Sequence, residues 1–304
     1  MTEARTPLDP THSHDEGFAA DMAQLERLNR RRALGLFGMA STAALLSACG
    51  SEGSSVLSTT SSSATPTPTP TPTPTSSGSA SSGSSGSTCV AYAAETNGPY
   101  PADGTNTSRG TLSNVITRDD FIRPDIRSSV TGTGTAAGVE LTFTITLADV
   151  NDDCAALEGY AIYMWHCDAD GDYSLYDVPA EDYLRGIQTT DANGQVTFTT
   201  IVPGCYNGRY PHIHFEVFSS ITNATTGRYA VLVSQFAMPK DVLGPIYSAD
   251  SRYTGSIAAL NNTSLAGDNV FGDNTDEQQE AMMVEMSGSI GAGYTASATV
   301  GIAT

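Results

Sequence analysis

Positive charge is scarce in this chain. Fourteen Lys+Arg stand against 33 Asp+Glu in 304 residues, a formal net charge of −19. The deficit is concentrated after residue 88, where nine Lys+Arg face 26 Asp+Glu. No basic patch for nucleic acid is visible, and polyanionic partners are repelled. Long apolar runs are also missing. The stretch Ala33–Ala48 is the one that stands out, and it falls short of the ~20 residues that span a bilayer comfortably. Histidine is rare: three of the five follow residue 88, namely His166, His212 and His214. Any imidazole-based metal site must draw on these. Five cysteines are present, four of them after residue 88.

What is present divides the chain in three. Arg30, Arg31 and Arg32 precede the apolar stretch ALGLFGMASTAALLSA. A basic run before a short apolar run is a secretory signal, and the paired arginines resemble a twin-arginine signal. Leu46-Ser47-Ala48-Cys49-Gly50 resembles a bacterial lipobox, in which Cys49 is lipidated and anchors the protein to the outer face of the cytoplasmic membrane. A soluble secreted protein is the alternative. Residues 1–48 are thus expected to be a signal peptide. Residues 49–88 are Ser/Thr/Pro/Gly-rich tracts around PTPTPTPTPT. Such composition cannot bury a core and serves as a tether.

Residues 89–304 have the composition of one folded domain. Residues 138–149, 160–167, 195–201, 212–218 and 229–236 read as strands, with a last strand over 294–301. Asp276–Met286 reads as a short helix or an irregular lead into that strand. Short strands with Gly/Asp/Asn-rich connections predict an all-β fold, an antiparallel β-sandwich with little helix. In an exported protein the four cysteines suggest two disulfides. The expected pairs are Cys167–Cys205, because both lie near the candidate metal groups, and Cys89–Cys154.

The richest stretch is PGCYNGRYPHIHFEVF, Pro203 to Phe218. Strand alternation puts Ile213, Phe215 and Val217 on one face and His212 and His214 on the other. Two imidazoles at that spacing can bind one metal. Tyr206 and Arg209 stand just upstream. A two-His, one-carboxylate iron site, a three-His zinc or copper site including His166, and a phenolate site for a trivalent ion all remain open on spacing alone. Phenolate is a hard anionic ligand, and a bound Fe(III) strips its proton at neutral pH.

The segment from Trp165 to Ser174 (WHCDADGDYS), followed by YLRGIQTTDANGQVTFTTIVPGCYNGRYPHIHFEV, resembles the core of the intradiol ring-cleavage dioxygenases. Glu95–Tyr100 (ETNGPY), Arg123–Arg127 (RPDIR) and Ser234-Gln235-Phe236 are similar to further segments of that family. The resemblance runs through residues 89–304 in order. It implies a non-haem Fe(III) held by Tyr173, Tyr206, His212 and His214, with Tyr206 and His214 axial and a hydroxide completing the set. It implies catalytic roles for Tyr206, Arg209 and Gln235, and a reaction of a catechol-type diol with O2 to a cis,cis-muconate. Cys205 departs from the residue often found beside the second tyrosine. His166 is expected to be structural. The competing expectation is a tethered, non-catalytic binding module of the same fold. The few cations favour catechol itself or neutral substituted catechols.

Overall fold

The computed structural model describes residues 89–304; the signal, Cys49 and linker expectations lie outside them. Eleven strands follow in order: β1 (Asp103–Ser108), β2 (Thr111–Asn114), β3 (Glu140–Asp149), β4 (Ala155–Ala156), β5 (Ala161–Trp165), β6 (Arg185–Thr189), β7 (Gln195–Ile201), β8 (His212–Phe218), β9 (Leu232–Ala237), β10 (Glu285–Ser289) and β11 (Gly293–Ile302). Three helices, α1 (Lys240–Ala249), α2 (Ser256–Asn261) and α3 (Asp276–Met282), lie between β9 and β10. The strands form two main sheets and a small hairpin, β1–β2.

One sheet has the order β10-β11-β3, with β7 along Glu140–Thr146 of β3 and β4 at its far end. The other, β6-β5-β8-β9, is antiparallel throughout. The fold is the expected all-β sandwich, with one difference: β11 runs parallel to β3. β10 and β11 form an antiparallel hairpin, and its second strand lies along β3. Period-two alternation in β3 buries Leu141, Phe143, Ile145 and Leu147 completely. They meet Val196 and Phe198 of β7 and Ile213, Phe215 and Val217 of β8 in the main core. Each such side chain contributes roughly 1.5–3 kcal/mol by leaving water.

All seven residues of β8 are buried. The face opposite the sandwich core is covered by loops and packs as a second cluster, with Ala102, Phe121, Tyr163, Trp165, Tyr173 and Phe218 among its members. His212 and His214 belong to this loop-covered face.

The Asp276–Met286 expectation resolves into α3 followed by β10. Thr275 and Gln278 form a reciprocal capping box that starts α3,. Helix α1 carries Pro245 inside it, and no helical pattern in the sequence announces it. Of the two expected disulfides, Cys89–Cys154 is formed; closing 65 residues is worth about 4 kcal/mol by chain entropy,. The other expectation is corrected: Cys167 and Cys205 are buried free thiols. Cys167 Sγ points to the Gly204 carbonyl at 3.6 Å and Cys205 Sγ to the Arg209 carbonyl at 3.7 Å. Burial pushes the Cys167 thiol well up and Cys205 up to about 12, so both stay protonated,.

Candidate metal centre

The first two donor groups come from β8. His212 and His214 share one face, and their Nε2 atoms lie 3.0 Å apart. His212 Nδ1 is 2.6 Å from the Tyr210 carbonyl oxygen. A carbonyl only accepts, so Nδ1 carries the hydrogen and Nε2 presents a lone pair. His214 is held differently. Trp165 lies opposite it in the β5–β8 register, and the two rings stack at 4.9 Å and 9°. At the Cε1 edge of the ring stands Gly98 at φ +70°, where an added Cβ would sit 3.0 Å from His214 Cε1. The imidazole is therefore packed by an indole on one face and by a residue with no side chain at its edge.

The phenols come from two loops. Tyr173 follows β5 through a turn organised by Asp168, whose Oδ1 accepts the Asp170 and Asp172 amides at 3.0 Å each. The Tyr173 amide donates to Asp177 Oδ2 at 2.9 Å. Arg185, fully buried, donates to Ser174 Oγ at 3.0 Å and to the Ser174 and Tyr100 carbonyls at 2.9 Å. Tyr173 is thereby fixed from both sides. Tyr206 stands in the loop before β8. Its base is pressed by Gly171, at φ +95°, where a Cβ would come 3.2 Å from Tyr206 Cβ. Tyr206 is half-buried and is followed by exposed Asn207 and Gly208, whereas Tyr173 is buried.

The four donor atoms close a ring. Tyr173 Oη is 3.4 Å from Tyr206 Oη; Tyr206 Oη is 3.1 Å from His212 Nε2; His214 Nε2 is 3.1 Å from Tyr173 Oη. Ligands that share one ion at metal–N and metal–O bonds of about 2.0–2.2 Å stand at such separations. Burial above all holds these groups neutral in the absence of a cation. Burial pushes the Tyr173 and Tyr206 phenols up. Burial followed by Arg209 pushes His212 down to about 3, and burial followed by His212 pushes His214 well down. Two neutral imidazoles and two phenols awaiting deprotonation fit a trivalent ion better than a zinc ion, which has no need of phenolate.

His166 is elsewhere. Its ring nitrogens lie 2.7 Å from the Cys167 carbonyl and 2.7 Å from Thr200 Oγ1. The three-His alternative is thereby removed, and among the described residues no three His, Cys, Asp or Glu side chains gather for a metal.

Arg209 and Gln235 are brought together beside the ring. Gln235 lies opposite His214 in the β8–β9 register. Arg209 Nη2 donates to Gln235 Oε1 at 2.6 Å, and Gln235 Nε2 donates to the Thr96 carbonyl at 3.2 Å. Asp268, which no motif signals, accepts from Arg209 Nε at 3.0 Å and from the Tyr210 amide at 2.6 Å. Arg185 and Trp165 are legible only as parts of the resembling segments; nothing in the strand pattern marks them as supports of Tyr173 and His214.

The Dioxygenase family model matches residues 125–271, which contain all four ring residues. Residues 125–271 belong to the dioxygenase family. The dioxygenase domain also has the fold of an intradiol ring-cleavage dioxygenase from Tetranychus urticae. That structure is 23% identical, with a TM-score of 0.53, and the match covers 71% of this chain and 95% of that one. A second dioxygenase crystal structure is 23% identical with a TM-score of 0.52 over the same shares of each chain. No curated protein sequence matches significantly.

Proposed function

We propose that the domain is an intradiol dioxygenase that binds Fe(III) through Tyr173, Tyr206, His212 and His214 and opens catechol-type diols between the two hydroxylated carbons. The observation that carries this is the closed ring of two phenol oxygens and two imidazole nitrogens. One diol and one O2 are consumed, the bond between the hydroxylated carbons breaks, and both oxygen atoms end in a cis,cis-muconate. A ferric ion, when bound, supplies the positive charge that deprotonates phenols and diol and makes the ring electron-rich enough to react with O2.

The chain's own residues divide the remaining work. Tyr173, pinned through Asp177 and Arg185, is the fixed phenolate. Tyr206, half-buried beside an exposed turn, is the phenolate free to move, and its Oη accepts one hydroxyl proton of the incoming diol. His212 keeps its Nε2 lone pair aimed at the ring because Nδ1 is committed to Tyr210. Trp165 and Gly98 hold His214 and keep water from that side. Arg209, a permanently charged planar donor, lies where negative charge grows on the substrate, and Gln235 orients it.

Iron-loaded protein incubated with catechol should take up O2 and release cis,cis-muconate. Tyr206→Phe should slow turnover while keeping iron, and His212→Ala should lose iron. Full activity in either variant would overturn the assignments. For the segments before residue 89, we propose export and a lipid anchor on Cys49, supported by the basic run, the apolar stretch and the Leu46–Gly50 motif. Fatty acid that labels wild type but not Cys49→Ser is the expected result.

A further inference from the structure

The ring-cleavage reading leaves open which diols enter. The charge around Arg209 bears on that question. Arg118, Arg127 and Arg252 are each paired with carboxylates near the surface, Arg109 and Arg228 are exposed, on a turn and a short 3-10 helix, and Arg185 is engaged by Ser174 and the Tyr100 carbonyl. Arg209 is the guanidinium beside the four donor atoms, and it is already engaged. Its Nε donates to Asp268 Oδ2 at 3.0 Å, and its Nη2 donates to Asp268 Oδ1 at 3.3 Å as well as to Gln235. Both partners of this pair are buried, at 7% and 0% side-chain exposure. Asp268 also accepts the amides of Tyr210, Val270 and Phe271, at 2.6, 2.8 and 3.2 Å. A carboxylate with this many donors is ionised. Burial works against its charge, but Arg209 and the hydrogen bonds outweigh it and hold Asp268 below the usual carboxylate range. Glu95, held by Asn274 Nδ2 at 2.9 Å, adds an acidic group within electrostatic reach of the same pair.

We propose that Asp268 sets the substrate charge: by cancelling Arg209 and fixing its plane, it reserves the site for catechols whose ring substituents carry no negative charge. A carboxylated catechol would bring a second anion to a place where the Arg209 charge is already spent on Asp268 and the Glu95 carboxyl stands nearby. Dihydroxylated rings with neutral or cationic substituents meet no such repulsion. Asp268 is thus a specificity-determining residue that acts through Arg209.

This inference rests on the ring-cleavage reading, and binding rather than turnover tests it. Iron-loaded protein under nitrogen is titrated with methylcatechol and with protocatechuate, its ring-carboxylated counterpart, and the change in colour gives each dissociation constant. Wild type should bind methylcatechol at least ~10-fold more tightly. Asp268→Asn should narrow that ratio by ~10-fold, because one buried charge is left unbalanced. Asp268→Glu, which keeps the charge, should stay near the wild-type ratio. Should Asp268→Asn fail to fold, the wild-type ratio alone still decides, and Glu95→Gln should narrow it by a few fold. Equal affinities in wild type, or an unchanged ratio in folded Asp268→Asn, would overturn this inference alone. Failure of iron-loaded wild type to bind methylcatechol at all would overturn the ring-cleavage reading and this inference with it.

Discussion

The two faces of β8 are seven residues of one strand under opposite demands. On one face Ile213, Phe215 and Val217 are fully buried among apolar side chains of both sheets. On the other, His212 and His214 are just as buried, yet their neighbours are phenols, an indole and a glycine. The first face contributes stability by removing apolar area from water. The second spends stability, because it desolvates polar groups whose only complete satisfaction is each other or a cation. His214 Nδ1 makes the cost visible: it is buried and has no hydrogen-bond partner. The lesson is that a strand can be positioned by one face and made chemical by the other.

Breaking each face should give different losses. Phe215→Ala, which removes a ring stacked on Phe236 at 4.2 Å, should cost about 3–5 kcal/mol in a denaturation experiment. His212→Ala should leave the melting temperature of metal-free protein within a few degrees of wild type while iron content, measured by elemental analysis, is lost. A large fall in metal-free stability on His212→Ala would erase the contrast. The next effect is smaller. Tyr206→Phe should lower kcat by ~10²-fold, as loss of a positioned proton acceptor does, with little change in stability.

Gly98→Ala sharpens the comparison from outside the strand. Its Cβ would press His214 Cε1 from a backbone at φ +70°, costing about 1 kcal/mol of fold stability and displacing the imidazole. The check is a melt together with iron affinity; a change in the melt without any change in iron affinity would mean that the glycine serves the fold only.

The smallest effect concerns pH. Burial pushes the Glu95 carboxyl up to about 7, with Asp273 and Asp268 acting in the same sense and Asn274 and Arg209 opposing them. Below that pH the group is neutral; above it, Glu95 adds a negative charge near Arg209. Discrimination against protocatechuate should therefore rise a few fold as pH increases through about 7,. Dissociation constants for Glu95→Gln measured across that range should lack the rise.

Much of the fold and of the site is legible in the amino-acid pattern. Strict alternation in QVTFTTI and HIHFEVF marks β7 and β8 at their observed bounds, and the four ring residues lie in segments that read as one constellation. Other parts are not legible, for physical reasons. The parallel pairing of β11 with β3 joins residues more than 140 positions apart, and alternation says which face is buried but not which strand is the neighbour. Helix α1 hides behind Gly244 and Pro245, two residues that lower helix propensity. Asp268 sits in an irregular loop 59 residues from Arg209, where no period marks it. The Cys167–Cys205 expectation fails because nearness in sequence to one site does not aim two thiols at each other; each points at a carbonyl instead.

The most direct measurement is the visible absorption of iron-loaded wild type, Tyr173→Phe and Tyr206→Phe, taken together with iron content. The account predicts phenolate-to-ferric charge-transfer absorption in wild type, a shift when catechol is added under nitrogen, and loss of part of that absorption in each variant. Iron bound in full without such absorption, or absorption unchanged in both variants, would contradict it.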